Sequence, residues 1–578
     1  MKILRHEIIH RVEERLHRIY GDTGELMVER FCMLLGRYGV GKVSPRRHGL
    51  WTENDVVLIS YADTIRDEES RPLEVLRQFC TRRLKNTVRR IHLLPFFPWS
   101  SDDGFSVIDY RQVGGQYGRW EDIERLGDDF GLMFDLVLNH CSMESSWFRE
   151  FVIGIAPGRH YFLPVDPNVD LSSVVRPRPW PLLTKTATRG GDVWVWTTFS
   201  EDQVDLNWQN PDVLFEFLDI LLWYLSKGAT MLRLDAVAFL WKEIGTTCLH
   251  RPETHEIIKL FRDTIEIVAP DTLIVTETNV PHEENISYFG DGDEAHMVYN
   301  FTLPPLLLYC LLREDASSLR EWAVTLPDLP RGRSFLNFTA SHDGIGVRPL
   351  QGILPDAEIA WLVEQTRERG GRVSMKRNSD GSESPYELNI TYVDALKAAD
   401  DPELSRRRFL CSQAIVLALR GVPAVYIHSI LGTPNHIEGV EGPGGYNRAI
   451  NRRKYRKDEL DRILDDADHP QGAIFATYTR WLRRRNNHPA FHPEAGQEIL
   501  DLGPHLFGLV RTGLRQDETI VCVFNVTACE RRIRYSKLHP HFERNGTARE
   551  LLSAETIRTG PNRSLVLPPY HAVWLALR

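Results

Sequence analysis

Hydrophobic and polar positions along the chain follow two periods. Eight short apolar runs, rich in β-branched and aromatic residues, recur as DVVLISY (55–61), IHLLPFF (91–97), LMFDLVLNH (132–140), TMLRLDAV (230–237), TLIVTET (272–278), MVYNF (297–301), FLNFTASHD (335–343) and AVYIHSI (424–430). Most read as buried on both faces, the pattern of strands in a covered parallel sheet. Between them lie stretches of helical period, such as 213–228 and 254–269. Strands alternating with helices predict a parallel sheet, and eight of them match an α/β (β/α)8 TIM barrel better than a doubly wound sheet.

The same pattern divides the chain. Ile8, Ile9, Val12, Leu16 and Ile19 recur at helical spacing, so residues 1–50 are expected to form a helical extension that packs on the main body. The barrel is assigned to 51–140, 206–343 and 406–489. Two intervals are too long for simple barrel connections: 141–205 after the third strand and 344–405 after the seventh. Both follow strand C-termini, where barrel active sites are built. From 490 to 578 short alternating strands predict a C-terminal β-sandwich domain.

Composition narrows the function classes. A formal charge of -9 gives no nucleic-acid footprint. Charges interrupt every apolar run of the first 21 residues, so neither a signal peptide nor a membrane span is expected there, and a cytoplasmic location is. The eight cysteines form no C-x-x-C pair and no metal-ligand set stands out. GRYGVGK (36–42) lacks the spacing of a phosphate-binding loop. RRHGL (46–50) and RRRNNHP (483–489) are expected to be exposed helix ends. Trp194 and Trp196 suit either stacking on a sugar or a small insertion core.

Polar residues at strand C-termini fit core packing poorly and catalysis well. Arg233 and Asp235 end the fourth run, on one side of it because side chains alternate. Glu277 ends the fifth, His342 and Asp343 the seventh, Asn139 and His140 the third, and Asp63 follows the first. Three carboxylates thus converge on one mouth. Retaining glycosyl transfer needs two of them about 5–5.5 Å apart, one to attack the anomeric carbon and one to protonate the leaving oxygen. An arginine two residues before the nucleophile would keep it ionised.

In order, DLVLNH (135–140), MLRLDAV (231–237), VTETN (275–279) and FTASHDG (338–344) resemble the motifs of the α-amylase superfamily of glycoside hydrolases and transglucosidases. The resemblance implies Asp235 as nucleophile, Glu277 as general acid/base and Asp343 as transition-state stabiliser, with His140, Arg233 and His342 around the donor sugar. YADTIRD (61–67), residues 91–113, TETNVPHEENISYFGDG (276–292) and GGYNRAINRRKY (444–455) resemble the sucrose phosphorylase branch. That likeness implies Asp63 and Arg452, with Arg448 as a second candidate for the latter, gripping the far side of one glucosyl unit. Tyr110 stands where that branch carries a histidine and is placed in the same substrate shell. The helical extension and residues 432–447 look most like the glucosylglycerate phosphorylase subgroup.

The activity this implies is retaining phosphorolysis of a small α-glucoside, 2-O-α-glucosylglycerate first, to α-D-glucose 1-phosphate. It uses inorganic phosphate as co-substrate and no cofactor or metal, and involves neither nucleic acid nor membrane. Sucrose or sucrose 6-phosphate phosphorolysis, glucosidase or transglucosidase activity, and non-catalytic sugar binding stay open. An anionic acceptor calls for arginine or lysine donors, and Arg176, Arg178, Lys185, Arg189, Arg348, Lys376 and Arg377 in or near the insertions are the candidates.

Overall fold

The computed structural model describes residues 2–38, 49–178, 180–378, 382–398, 401–442 and 444–577. The eight apolar runs become β1 (Val57–Ser60), β2 (Arg90–Leu93), β3 (Gly131–Val137), β4 (Ala229–Asp235), β5 (Leu273–Thr276), β6 (Met297–Tyr299), β7 (Ser334–Asn337) and β8 (Val422–Tyr426). They pair in chain order, all parallel, and β8 closes on β1 with Ala424 opposite Val57. Closure removes both sheet edges, which rules out the doubly wound alternative.

The expected helical extension forms α1 (Lys2–Tyr20) and α2 (Met27–Arg37). Ile8, Val12, Leu16 and Ile19 are buried on the face that packs against the barrel, while Ile9 is half-buried. Two further helices frame β4. α3 (Pro211–Ser226) starts with proline at its first turn, and the Asn210 side chain accepts from the Asp212 amide. α4 (Pro252–Val268) also opens on proline and lies under α1. Arg15 and Arg11 of α1 both donate to Asp263 of α4, at 2.5 and 2.8 Å.

The first insertion carries a helix, Ser146–Ile153, and a hairpin, Leu183–Thr188 with Gly191–Trp196. Its base is tied by pairing of His140–Ser142 with Gln203–Asp205. Trp196 fills a small core with Val174, Leu182 and Cys248, whereas Trp194 lines an outer groove. The second insertion is a three-stranded sheet, Ile345–Gly346, Glu383–Asn389 and Arg372–Arg377, with helix Asp356–Glu368 beside it.

Near the C-terminus a six-stranded antiparallel sheet runs from Gly496–Ile499 to Ala572–Leu577 in sequence. One face shares a core with the two-stranded pair Arg531–Arg534 and Ser564–Leu567, through Val521, Val523, Leu567 and Leu575. The other face, with Leu509, Ile520, Phe524 and Trp574, belongs to the barrel's own core.

The basic run at 483–489 departs from expectation. Arg485 is fully buried and donates to the carbonyls of Leu417, Phe491 and Glu53, so it is a strut rather than an exposed helix end. Residues 39–48, which carry most of GRYGVGK and RRHGL, lie outside the described residues. Among the described residues no helix is long and apolar enough to cross a membrane.

Candidate active site

Strand alternation places Arg233 and Asp235 on the same inner side of β4, and Arg233 Nη1 donates to Asp235 Oδ1 at 2.6 Å. The same nitrogen donates to Asp135 Oδ1 of β3, the residue opposite Arg233 in the barrel register. Asp135 also accepts from His92 Nε2 of β2 at 2.7 Å. A buried His92–Asp135–Arg233 row therefore forms the floor.

Glu277 follows β5 and accepts from the Ala236 amide at 3.2 Å. Ala236 takes a left-handed φ of 49°, which turns the chain sharply after Asp235. Asp343 follows β7 and is ion-paired to Arg448 Nη1 at 2.7 Å. Arg233 Nη2 lies 4.0 Å from Glu277 and 3.9 Å from Asp343. One guanidinium thus reaches all three acids.

Burial lifts the Asp235 carboxyl well above the usual range, and Glu277, Asp135 and Asp343 add to it against the pull of Arg233. Burial also raises Glu277. Asp343 feels the same burial, but Arg448, Arg233 and Arg452 outweigh it and hold it low. The expectation that Arg233 keeps Asp235 ionised meets an opposing effect, because burial, with the nearby acids, outweighs the pull of Arg233. Glu277 is among the charges that raise Asp235, and two interacting buried acids titrate as a pair. The guanidinium 2.6 Å from Asp235 and 4.0 Å from Glu277 favours a proton on Glu277 over one on Asp235.

His342 stacks on Phe105, with centroids 4.8 Å apart and planes 3° from parallel. His140 donates from Nε2 to the Phe105 carbonyl at 3.0 Å, taking Nε2 as the protonated nitrogen. Burial lowers the pKa of both rings, so both are neutral. The cavity they line with Asp235, Glu277 and Asp343 has an inner volume of about 70 Å³. It opens into a vestibule of about 520 Å³.

Three expected sugar ligands sit differently. Asp63 is buried away from the cavity wall and paired with Lys454 and Arg66. Tyr110 lies beneath the wall: its hydroxyl bonds the Val137 and His140 carbonyls and its ring stacks on Trp147. Arg452 stands one layer behind the wall, donating to the His342 carbonyl and to Asp103 at 2.9 and 2.8 Å. Its Nη2 has no partner among the described residues.

The acid that lines the cavity on that side is Asp102, 3.8 Å from Arg452 and 3.9 Å from Arg448. It belongs to the 91–113 stretch, and an Asp-Asp-Gly turn was the available signal. Asp102 and Asp103 take φ of 52° and 48°. The loop is pinned by Ser100, Ser101 and Ser106 donating to Asp202 of the first insertion. Glu387, buried in the second insertion, holds Arg448 at 2.6 Å. Nothing in its local sequence marked it. Of the acceptor-side cations, Arg178 reaches the inner cavity.

A closed parallel barrel with three buried acids at strand ends around one arginine defines a glycoside-processing barrel enzyme. The pattern of the α-amylase catalytic domain matches residues 85–324. A glucosylglycerate phosphorylase of Spirochaeta thermophila is 45% identical over 98% of this chain and 99% of its own length. One from Escherichia coli is 43% identical over 98% and 99%. The crystal structure of sucrose 6F-phosphate phosphorylase from Thermoanaerobacter thermosaccharolyticum superposes with a TM-score of 0.72 at 23% identity, covering 84% of this chain and 95% of that one. The chain belongs to the α-amylase family, in the branch that contains these glucosylglycerate phosphorylases.

Proposed function

We propose that this protein is a retaining glucoside phosphorylase whose first substrate is 2-O-α-glucosylglycerate. The observation that carries the mechanism is the placing of two buried acids over Arg233, Asp235 at 2.6 Å and Glu277 at 4.0 Å from its guanidinium. Ionised Asp235 attacks C1 of the α-glucoside as Glu277 gives its proton to the leaving glycerate oxygen. The C1–O bond breaks, a β-glucosyl ester forms on Asp235, and glycerate departs with the proton. Phosphate then enters the vacated side and attacks C1 as Glu277 takes up one proton. Asp235 leaves, and α-D-glucose 1-phosphate is released with configuration retained.

Asp343, held ionised by Arg448, faces the developing positive charge at C1. Asp102 supplies an acceptor for a glucosyl hydroxyl at the closed end, with Arg452 3.8 Å behind it. Arg178 at the vestibule side faces the anionic acceptor, glycerate or phosphate. Inorganic phosphate is a co-substrate here, and no step needs a metal or organic cofactor.

Incubation of 2-O-α-glucosylglycerate with and without phosphate tests the reading. Glucose 1-phosphate should form only with phosphate, and Asp235→Ala should stop it. In reverse, α-glucose 1-phosphate should release phosphate with D-glycerate and not with fructose. Free glucose formed at a rate indifferent to phosphate would replace this reading with hydrolysis.

A further inference from the structure

Arg176 and Arg178 stand two residues apart on a segment of the first insertion, yet they line different spaces. Arg178 lines the transfer cavity and its vestibule. Arg176 lines a separate groove on the other side of that segment. The strand Arg372–Arg377 of the second insertion is divided in the same way. Val373, Ser374 and Met375 line the vestibule, whereas Lys376 and Arg377 line the groove.

The groove has a volume of about 800 Å³, and among the described residues no aspartate or glutamate lines it. Four cations do: Arg176, Arg348, Lys376 and Arg377. Arg348 has one carboxylate near it, Glu284 at 3.9 Å. The other three make no ion pair among the described residues, although the chain carries a net charge of -9 and most of its arginines are paired. Arg176, Arg348 and Lys376 are also partly buried. Burial lowers the pKa of Lys376 and of Arg176, and the neighbouring charges of Arg348 and Arg377 lower them further. Half-buried, mutually repelling cations are unfavourable unless a counter-charge joins them.

We propose that this groove binds a phosphate-bearing anion, as free phosphate or as a phosphate monoester, at a site separate from the transfer cavity. Three arginines can each present two parallel donors to phosphate oxygens, and Lys376 adds a point charge. The Trp194 ring, Val174 and Leu182 offer an apolar wall to the carbon portion of an ester. The bound anion would join the first insertion, through Arg176, to the second, through Arg348, Lys376 and Arg377. The same two segments wall the vestibule on their other side, so occupancy of the groove sets how far apart those walls stand. The site needs no glucosyl transfer to exist.

The test is calorimetric titration of the full chain with inorganic phosphate and with phenyl phosphate, a monoester that has no hydroxyl to accept a glucosyl group. Phenyl phosphate binding should survive Arg178→Ala, which removes a cation of the transfer cavity. It should weaken about tenfold or more, about 1.4 kcal/mol, in the double variant Lys376→Ala/Arg377→Ala. Lys376→Gln/Arg377→Gln, which keeps side-chain bulk, should show the same loss with an unchanged melting temperature. Tighter binding of phenyl phosphate than of phosphate assigns the groove to esters, and equal binding assigns it to the free ion. Undiminished binding of both anions in the two double variants overturns the proposal. A failure of the phosphorylase reading would appear separately, as turnover indifferent to phosphate with groove binding intact.

Discussion

Arg233 meets Asp135, Asp235, Glu277 and Asp343 from one buried position, and this sets the pH response of the site. In the proposed mechanism Asp235 acts ionised and Glu277 protonated, so activity should fall on the acid side as Asp235 takes up a proton. It should fall on the alkaline side as Glu277 loses its own. Because burial raises Asp235, the acid limb should lie above the ordinary carboxylate range. Arg233→Lys weakens the pull that lowers Asp235, so its pKa rises and the acid limb moves to higher pH. A kcat/KM profile with an unmoved acid limb in that variant would remove Arg233 from this role. A second contrast lies between two aspartates. Asp102→Asn should raise KM for the glucoside about tenfold. Asp63→Asn should leave KM within about twofold, since its partners are Lys454 and Arg66.

Among the elements, the clamp of α1 on α4 shows how the extension is fixed. Arg15 is buried against Asp263, with Glu256 and Asp293 farther off at 3.5 and 3.2 Å. Asp263→Ala leaves two arginines short of a partner and should destabilise the fold by about 1–3 kcal/mol, read as a lower midpoint in urea unfolding. Turnover of the folded variant should be unchanged, because α1 and α4 supply no residue to the cavity. The loop at 99–106 is a different case. The Ser100–Ser106 hydroxyls converge on Asp202, so the element that positions Asp102 is held by an insertion a hundred residues away.

Across the whole molecule, the C-terminal sheet shares its inner face with the barrel core. Leu509, Ile520, Phe524 and Trp574 join that core, and Arg511 donates to the Ala418 and His492 carbonyls. Separating sheet from barrel would expose apolar area on both. Thermal unfolding followed by calorimetry should therefore show one transition for both parts. Two well-resolved transitions would mean that the sheet folds on a core of its own.

The chain alone determined the eight strands and the three acids. Strand period, burial on both faces and the change to polar residues at strand ends are local properties, written within a few neighbours of Asp235, Glu277 and Asp343. The helical extension was legible for the same reason, since Val12 and Leu16 lie one helical turn apart. Tertiary structure decided what depends on distant partners. It put Asp102 rather than Asp63 on the cavity wall, and paired Asp63 with Lys454 and Arg66. It set Tyr110 beneath the wall, buried Arg485 among three carbonyls, and brought Glu387 to Arg448. Most of these turn on which charge or carbonyl a side chain meets across tens to hundreds of residues, as Asp63 meets Lys454 and Glu387 meets Arg448, and electrostatic pairing at that range leaves no period in the sequence.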